Sequence, residues 1–336
     1  MIQSAIQRVE SGHDLSMDEV AETFEQIICG CCTEEDVARW LLALNRKGPS
    51  VSEVAGAALA LRRKMTPIRS SRPELLDTCG TGGDQLHTFN ISTAAALVTA
   101  AAGVPVAKHG NRAASSRSGS ADVLAVLGVN IEADVACVEH CLDELGICFC
   151  FAPLLHNAMR HVAPVRKKLG VPTIFNILGP LINPAGASRQ LLGVGKAELR
   201  PLLAEALVLL GTTRSVVVHG GDGLDEVTLT GSTEVAEAAG RVRHFQWNPA
   251  DFGLESIPLK AIQVSGPDQS AAAIRGVLAG QPGPARDIVV ANAAAALWTA
   301  GKASSPGACA GLAAEAIDTA AASDLLTRLV ARSHGK

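Results

Sequence analysis

The sequence contains no hydrophobic segment long enough to span a bilayer. Its longest apolar run extends from Ala94 to Ala107 and is interrupted by Gly103 and Pro105, whereas a membrane-spanning helix needs about 20 apolar residues. The N-terminal stretch MIQSAIQRVESGHDLS carries acidic residues and no apolar core, so we expect no signal peptide. Both absences predict a cytoplasmic protein with no membrane partner.

An excess of positive charge is also absent. The 336 residues include 29 basic and 33 acidic side chains, which gives a net charge of -4. Such a chain has no general attraction to nucleic acid, and we expect no nucleic-acid partner. Hydrophobic residues make up 48% of the chain, which is too many for disorder and sufficient for a well-buried core.

Three common ligand-binding signatures are missing. No Gly-Lys-Ser/Thr occurs, so there is no P-loop, and the glycine spacing of a Rossmann dinucleotide site is absent. The twelve-position ligand pattern of an EF-hand is absent as well. Any anion or metal site in this chain must therefore be built in another way.

Nine cysteines raise the question of a zinc site. Cys137 and Cys141 match the usual ligand spacing only loosely. Cys141 lies on the apolar side of a predicted helix, and Cys148 and Cys150 alternate with phenylalanines as in a buried strand. We interpret these cysteines as core residues, with structural zinc as the alternative.

The order of predicted elements divides the chain in two. Within the first 70 residues, Ser16 with Glu19 and Ser50 with Glu53 form capping boxes that begin helices. After the linker TPIRSSRPELLD, predicted strands (GVPVAKHG, CFCFA, RSVVVHG, ARDIVVANA) alternate with predicted helices (AAALVTAAAG, ADVLAVLG, LRPLLAEALVLLG). The fold class is therefore α/β: a small all-helical N-terminal domain and a large domain with a mostly parallel central sheet flanked by helices.

A glycine-rich polar stretch, DTCGTGGDQLHTFNIST at residues 77–93, directly precedes a predicted buried helix. Gly80, Gly82 and Gly83 allow backbone N–H groups to approach an anion closely. Ser92 and Thr93 place hydroxyls at the helix N-terminus, whose dipole favours negative charge. The alternative is a tight turn with an ordinary N-cap.

A second loop and an acidic turn accompany it. The stretch KHGNRAASSRSGSADVLAVLG carries Lys108 and Arg112 among serines, so the two loops together predict a ligand with two separate anionic groups. The turn HGGDGLDEVT carries Asp222, Asp225 and Glu226. Carboxylates beside phosphates require a cation between them, and Mg²⁺ takes one or two carboxylates together with phosphate oxygens. An acidic surface turn is the alternative.

Six motifs, in this order, resemble the anthranilate phosphoribosyltransferase family: GTGGD, TFNIST, KHGNRAASS, SGSADVL, FNILGPLINPA and DGLDE. The resemblance covers nearly the whole chain. It implies Mg²⁺-dependent transfer of a phosphoribosyl group from phosphoribosyl diphosphate to anthranilate in tryptophan biosynthesis, with two ions per monomer. It also implies a homodimer formed through the helical domain. We expect this domain to span 1–70, joined in space by helices from about 155–185, and the phosphoribosyl diphosphate-binding α/β domain to span 74–336.

The resemblance also implies roles for individual residues. Asn111 and Arg166, together with Gly80, would contact anthranilate, with Arg166 pairing with its carboxylate. Ser92, Asp225 and Glu226 would hold the metal. The residues that would contact phosphoribosyl diphosphate are Gly80, Gly83, Asp84, Thr88, Asn90, Ile91, Ser92, Thr93, Lys108, His109, Gly110, Asn111, Arg112, Ala113, Ala114, Ser115, Ser116 and Ser120.

Two features leave questions that the resemblance does not answer. Gln85 stands where the family more often has a glycine, which bears on the flexibility of the loop. No convincing general base is present; His109 is the nearest candidate, and we favour a packing role for it. The alternatives for function are a pyrimidine nucleoside phosphorylase-like enzyme and a non-enzymatic nucleic-acid-binding relative of the same fold.

Overall fold

A computed structural model of the chain describes residues 2–113 and 117–335. Three of the predicted ligand-binding residues, Ala114, Ser115 and Ser116, lie outside the described residues. Within those residues we find no helix with the length and apolar character needed to cross a lipid bilayer.

The N-terminal part is helical, as predicted. Both capping boxes are confirmed, because the Ser16 and Ser50 side chains each accept a hydrogen bond from the N3 backbone and each N3 glutamate bonds back. Thr33 caps the third helix, and Gly30 and Gly48 follow helix ends with positive φ. The helices are α1 (Ile2–Glu10), α2 (Met17–Ile28), α3 (Glu34–Lys47) and α4 (Val51–Lys64).

The rest of the described chain is built on a seven-stranded sheet of order β3-β2-β1-β4-β5-β6-β7. The first five strands in this order run parallel, and β6 and β7 add an antiparallel hairpin at one edge. This confirms the mostly parallel sheet. The strands are β1 (Leu76–Gly80), β2 (Val106–Gly110), β3 (Ile147–Phe151), β4 (Arg189–Gly193), β5 (Arg214–Gly220), β6 (Thr233–Ala239) and β7 (Arg241–Trp247).

Helices flank both faces of the sheet. Cys141 is buried on α7 and all five residues of β3 are buried, so these cysteines occupy the core positions predicted for them. The helices are α5 (Ile91–Ala101), α6 (Ser120–Leu127), α7 (Val135–Leu145), α8 (Ala152–Leu155), α9 (Ala163–Leu169), α10 (Phe175–Leu178), α11 (Leu199–Leu209), α12 (Pro267–Leu278), α13 (Pro284–Thr299), α14 (Pro306–Asp318) and α15 (Ala321–Ser333).

One predicted strand is wrong: ARDIVVANA lies within α13. Its β-branched residues Ile288, Val289 and Val290 are all buried, and a short apolar run of this kind cannot be assigned to strand or helix by periodicity alone. Pro284 at the first helical turn and the alanines that follow favour the helix.

A segment distant in sequence completes the core of the helical part. Val162, Val165 and Phe175 share a hydrophobic cluster with α1–α4, and the rings of Phe24 and Phe175 lie 5.5 Å apart between centroids. The same cluster continues through α11 to one face of the sheet. The two parts of the chain are therefore joined by packing as well as by the linker.

Candidate active site

The predicted functional loops meet where the strand order reverses. From β1 the chain adds β2 and β3 on one side and later β4 and β5 on the other. Gly80 and Gly193 end β1 and β4 in register, and Thr81 N–H donates to the Gly193 carbonyl at 2.9 Å. Ligands of open α/β sheets bind in the crevice at such a switch point.

Asp225 closes the bottom of this crevice. Its Oδ2 accepts a hydrogen bond of 2.9 Å from Gly82 N–H, which ties the turn after β5 to the glycine loop after β1. A Cβ on Gly80 would lie only 2.6 Å from this oxygen, and one on Gly193 would overlap the Asp225 carbonyl. Both positions therefore require glycine for close approach rather than for a special φ.

Glu226 faces the start of α5. Its Oε1 accepts from Ser92 N–H at 3.0 Å. Lys108 Nζ donates to the Thr78 carbonyl and lies 3.4 Å from Ser92 Oγ. The acidic residue is thus flanked by a hydroxyl and by a buried cation.

The helix that was predicted as a strand holds this acidic turn in place. Asn292 on α13 accepts from Val227 N–H and donates to the Val227 carbonyl, each at 2.9 Å. Val227 directly follows Glu226. Asn292 is fully buried, and its separation of 65 residues from Val227 leaves no signal in the local sequence.

The carboxylates in the crevice repel one another. Burial and the neighbouring charges of Asp84 and Glu226 raise the pKa of Asp225 well above its usual range. Burial raises the pKa of Glu226 to about 7, against the opposing effects of Lys108 and the Ser92 hydrogen bonds. A cation placed between these groups would relieve the repulsion.

The donor set fits Mg²⁺ bound together with a phosphorylated ligand. Among residues 2–113 and 117–335, no cluster of three or more His, Cys, Asp or Glu side chains is arranged to enclose a metal ion. Two carboxylates and a hydroxyl, each giving one oxygen, leave half of an octahedron to other oxygens. Mg²⁺ characteristically uses one or two protein carboxylates and completes its shell with water and phosphate.

The glycine loop has an unusual backbone. Gly82 and Gly83 have φ of 67° and 89°, and Gln85 and His87 both have φ of 58°. A left-handed conformation costs a non-glycine residue about 1–2 kcal/mol. Gln85, the position where the chain departs from the family pattern, therefore stands where glycine would relieve strain.

Ser92 and Thr93 lie in the first turn of α5, so their hydroxyls are at the helix N-terminus as predicted. Asn90 is the N-cap residue and makes no side-chain cap bond, so Ser92 is not the N-cap. The first N–H groups of the helix are already engaged: Ile91 with the Phe89 carbonyl, Ser92 with Glu226, and Thr93 with the Asn90 carbonyl. The hydroxyl of buried Thr93 has no hydrogen-bond partner among the described residues.

Asn90 connects the two predicted phosphate loops. Its Oδ1 accepts from Ser118 Oγ at 2.7 Å and from Ser270 Oγ at 2.8 Å, and its Nδ2 donates to the Ser118 carbonyl. Thr88 pairs with Gln263 in an isolated β-bridge. Sequence reasoning missed Ser118 and Ser270, of which the second lies 180 residues away.

The loop after β2 is shaped by Asp122, which sequence reasoning also missed. Its Oδ2 accepts from Ala113 N–H at 2.9 Å and Gly119 N–H at 3.0 Å, and Arg112 pairs with its Oδ1 at 3.2 Å. The available signal was an acidic residue three positions after Gly119, the spacing at which a side chain can accept the N–H of the N-cap residue. A Cβ on Gly110 would overlap Ser120 Oγ, which lies 3.4 Å from the Asn111 carbonyl.

His109 is held in a buried pair with His156. Its Nδ1 faces the Gly179 carbonyl at 3.0 Å, and its Nε2 lies 3.0 Å from His156 Nε2. Burial lowers the pKa of His109 to about 3 and that of His156 to about 4, so both rings are neutral. His109 must then donate from Nδ1 and accept at Nε2, which leaves it no free lone pair.

Arg166 is a half-buried cation without a partner. It lies on α9 with its guanidinium 5.3 Å from the centroid of the Phe175 ring. Within the described part of the chain its side chain has no ion pair and no hydrogen bond, and burial lowers the pKa of its guanidinium. Such a group is prepared to bind a carboxylate or phosphate.

Comparisons with known proteins agree with this geometry. Residues 72–323 match the model of the glycosyl transferase family a/b domain, and residues 3–65 match that of its helical bundle domain. The anthranilate phosphoribosyltransferase of Rhodospirillum rubrum is 52% identical over 331 residues, which covers 98% of this chain and 95% of that protein.

The solved structures that resemble this chain include anthranilate phosphoribosyltransferases. The crystal structure of anthranilate phosphoribosyltransferase from Thermus thermophilus superposes with a TM-score of 0.93 at 44% identity, over 98% of this chain and 99% of that one. The enzyme from Saccharomyces cerevisiae in complex with PRPP and Mg superposes with a TM-score of 0.90 at 29% identity, over 100% and 98% of the two chains.

Proposed function

Because the chain belongs to the anthranilate phosphoribosyltransferase family, we propose that it transfers the phosphoribosyl group of 5-phospho-α-D-ribose 1-diphosphate to anthranilate. The products are N-(5-phosphoribosyl)anthranilate and diphosphate, and the reaction belongs to tryptophan biosynthesis. The enzyme is a glycosyltransferase that uses Mg²⁺, as the composition of the yeast complex supports.

The observation that carries the proposal is the placement of Asp225 and Glu226. Both lie at the switch point, against the glycine loop and the start of α5, and their mutual repulsion calls for a cation. We assign Asp225, Glu226 and the Ser92 hydroxyl as metal ligands. With the diphosphate bound, these residues have enough donors to share two ions per monomer.

Phosphoribosyl diphosphate would lie between the two loops that Asn90 connects. The first contributes Gly80, Gly83, Asp84 and Thr88 with the α5 residues Ile91 to Thr93. Because most N–H groups at the start of α5 are engaged, the free Thr93 hydroxyl is the stronger candidate for a phosphate contact there. The second loop contributes the residues from Lys108 to Ser116 and Ser120.

Anthranilate would bind on the side of Arg166, whose unpartnered guanidinium is matched to a carboxylate. We assign Asn111 and Gly80 to the same acceptor site, as the family resemblance implies. Anthranilate bound in this way would direct its amino group towards the ribose carbon that loses diphosphate.

The residues of this chain would act mainly by positioning the two substrates and by holding the cation that neutralises the leaving group. Bound Mg²⁺ supplies neutralisation of the charge that develops on the diphosphate leaving group. Alignment of the amine with the ribose carbon can contribute on the order of 7–11 kcal/mol. We assign no general base, because His109 has no free lone pair and an aniline nitrogen is already a neutral nucleophile.

We also propose the wider organisation that the resemblance implies. The helical domain comprises 1–70 together with helices from about 155–185, the α/β domain comprises 74–336, and the protein is cytoplasmic.

Two chains associate through their helical domains. In this domain α3 carries one large exposed hydrophobic residue, Leu42, which is 37% exposed. Sedimentation of the full chain tests the dimer, and a monomer at micromolar concentration would contradict it.

The decisive experiment is transfer to anthranilate, followed by the loss of anthranilate fluorescence. We expect Mg²⁺-dependent turnover in the wild type and none in the double variant Asp225→Asn, Glu226→Gln, which should stay folded. Glu234→Gln, a partly exposed charge on β6, is the matched control and should keep its activity. Phosphorolysis of a pyrimidine nucleoside without transfer to anthranilate would support the alternative function instead.

A further inference from the structure

A cavity of about 150 Å³ lies at the opposite edge of the sheet from the active site. It is bordered by the last turn of α4, the amino ends of β4 and β5, and the end of α11. The strand β4 separates it from Gly193 by about 13 Å. The lining residues that bear polar side chains are Arg62, Asn183, Ser188, Gln190, Thr212 and Ser215.

Arg62 is the one charged residue in this lining. Its Nε donates to the Leu181 carbonyl at 2.7 Å. In residues 2–113 and 117–335 this is its only side-chain hydrogen bond, and it forms no ion pair. An arginine carries five N–H donors in a planar fork, so four donors remain.

The charge of Arg62 is not compensated by any carboxylate. Burial lowers the pKa of its guanidinium, and no neighbouring acidic group opposes that effect. Taking a charge out of water is costly unless it is paired. Arg63, the next residue on α4, shows the ordinary solution: it is exposed and pairs with Glu25 at 2.9 Å.

The cavity is large enough for more than one water molecule, since a water occupies about 30 Å³ in the liquid. Six of its thirteen lining residues bear polar side chains, and no acidic side chain is among them. This combination disfavours cations and suits an anion that can take two parallel N–H bonds from the guanidinium.

We propose that the Arg62 cavity binds a small oxyanion, a phosphate or carboxylate group, at a site separate from the catalytic crevice. The anion pairs with the free edge of the Arg62 guanidinium, and the Ser188 hydroxyl adds a donor. Because Arg62 belongs to α4 and Ser188 precedes β4, the bound anion bridges the helical part and the sheet.

The test is a calorimetric titration of the full chain with inorganic phosphate and, separately, with acetate. The catalytic crevice is kept occupied by phosphoribosyl diphosphate and Mg²⁺ without an acceptor, and each titration is repeated without them. Loss of a charged hydrogen bond predicts that Arg62→Gln weakens binding by about 10- to 150-fold. Arg63→Gln removes a charge from the same helix and should bind as the wild type does.

Two further variants keep the test valid if Arg62→Gln folds poorly. Arg62→Lys keeps the charge but not the fork, and Ser188→Ala removes one hydroxyl; both should weaken binding by less than Arg62→Gln. The stronger of the phosphate and acetate titrations identifies which group the cavity takes. Absence of binding to the wild type at millimolar anion would overturn the proposal. So would an equal loss in Arg62→Gln and Arg63→Gln, because that result reports general charge.

Discussion

Arg166 and Glu226 represent the two ways in which single residues of this chain are prepared for ligands. Among the described residues, Arg166 is a cation without an acidic partner whose guanidinium lies over the Phe175 ring, and Glu226 is a carboxylate kept among like charges. Each carries an electrostatic cost in the free protein that a ligand of opposite charge relieves. Each therefore gives a prediction that a purely structural residue would not satisfy.

We expect Arg166→Ala to raise the apparent KM for anthranilate by about 10- to 150-fold, the equivalent of one charged hydrogen bond. The KM for phosphoribosyl diphosphate should stay nearly constant, since we assign Arg166 to the acceptor and not to phosphoribosyl diphosphate. Steady-state kinetics with each substrate varied in turn measures both. Lys167→Ala, an exposed neighbour on α9, is the control, and an equal loss for both substrates would show that Arg166 is structural.

Glu226 should make the free protein less stable as the pH rises. Its pKa is about 7 in the folded chain against 4.5 as its ordinary value, so the folded state binds more protons between these values. The contribution is fully present below about pH 4.5 and is lost as the pH rises through about 7, with a slope of at most ~1.4 kcal/mol per pH unit.

Urea unfolding of wild type and Glu226→Gln, without Mg²⁺ and from about pH 5 to about pH 8, measures this linkage. The free energy of unfolding of the variant relative to wild type should increase over that range. The low pKa values of His109 and His156 act in the opposite direction, but they are common to both proteins and cancel. A constant difference between the two proteins would mean that Glu226 titrates normally.

Among the secondary-structure elements, α5 carries the clearest test of the metal assignment. Ser92 is in its first turn but is not the N-cap, so Ser92→Ala should cost well under the ~1 kcal/mol of a lost cap. The Mg²⁺ concentration for half-maximal rate should rise if the hydroxyl is a metal ligand. Thr33→Ala removes a true cap from α3 and should show the reverse: lower stability and an unshifted Mg²⁺ curve.

The elements also show which features the sequence predicts. The capping boxes at Ser16 and Ser50 involve residues three positions apart, and they were recognised because their chemistry is local. The prediction of a strand at ARDIVVANA failed because its β-branched residues belong to a helix, α13, that is buried on nearly all sides. The contact of Asn292 with Val227 spans 65 residues, and only the folded chain brings such partners together.

The candidate site shows the same difference between local features, which the sequence predicts, and long-range contacts, which it does not. Glycines, hydroxyls and paired acids in the loops predicted where an anion and a metal would bind, since those residue types have few other uses together. The pairing of His109 with His156 and the link from Asn90 to Ser270 depend on tertiary packing. Motifs therefore predict candidate ligand-binding residues, whereas the residues that hold those candidates in place are found only in the folded structure.

At the scale of the whole molecule, Phe175 connects the helical core with Arg166, the residue that we propose as the partner of the anthranilate carboxylate. Its ring packs against Phe24 at 5.5 Å between centroids and lies beneath the Arg166 guanidinium at 5.3 Å. Both phenylalanines are buried. A substitution at Phe175 therefore removes both core packing and the contact with Arg166, whereas a substitution at Phe24 removes core packing alone.

We expect Phe175→Leu and Phe24→Leu to lower the free energy of unfolding by similar amounts, roughly 0.5–3 kcal/mol. Only Phe175→Leu should raise the KM for anthranilate, by about 2- to 30-fold, because a cation–π contact is worth about 0.5–2 kcal/mol. Urea unfolding and steady-state kinetics of both variants measure the two effects separately. If Phe24→Leu raised the KM as much as Phe175→Leu, the effect would come from a general loosening of the helical core. A rise in KM in Phe175→Leu alone would establish that the Phe175 ring, besides packing in the helical core, positions Arg166 for anthranilate.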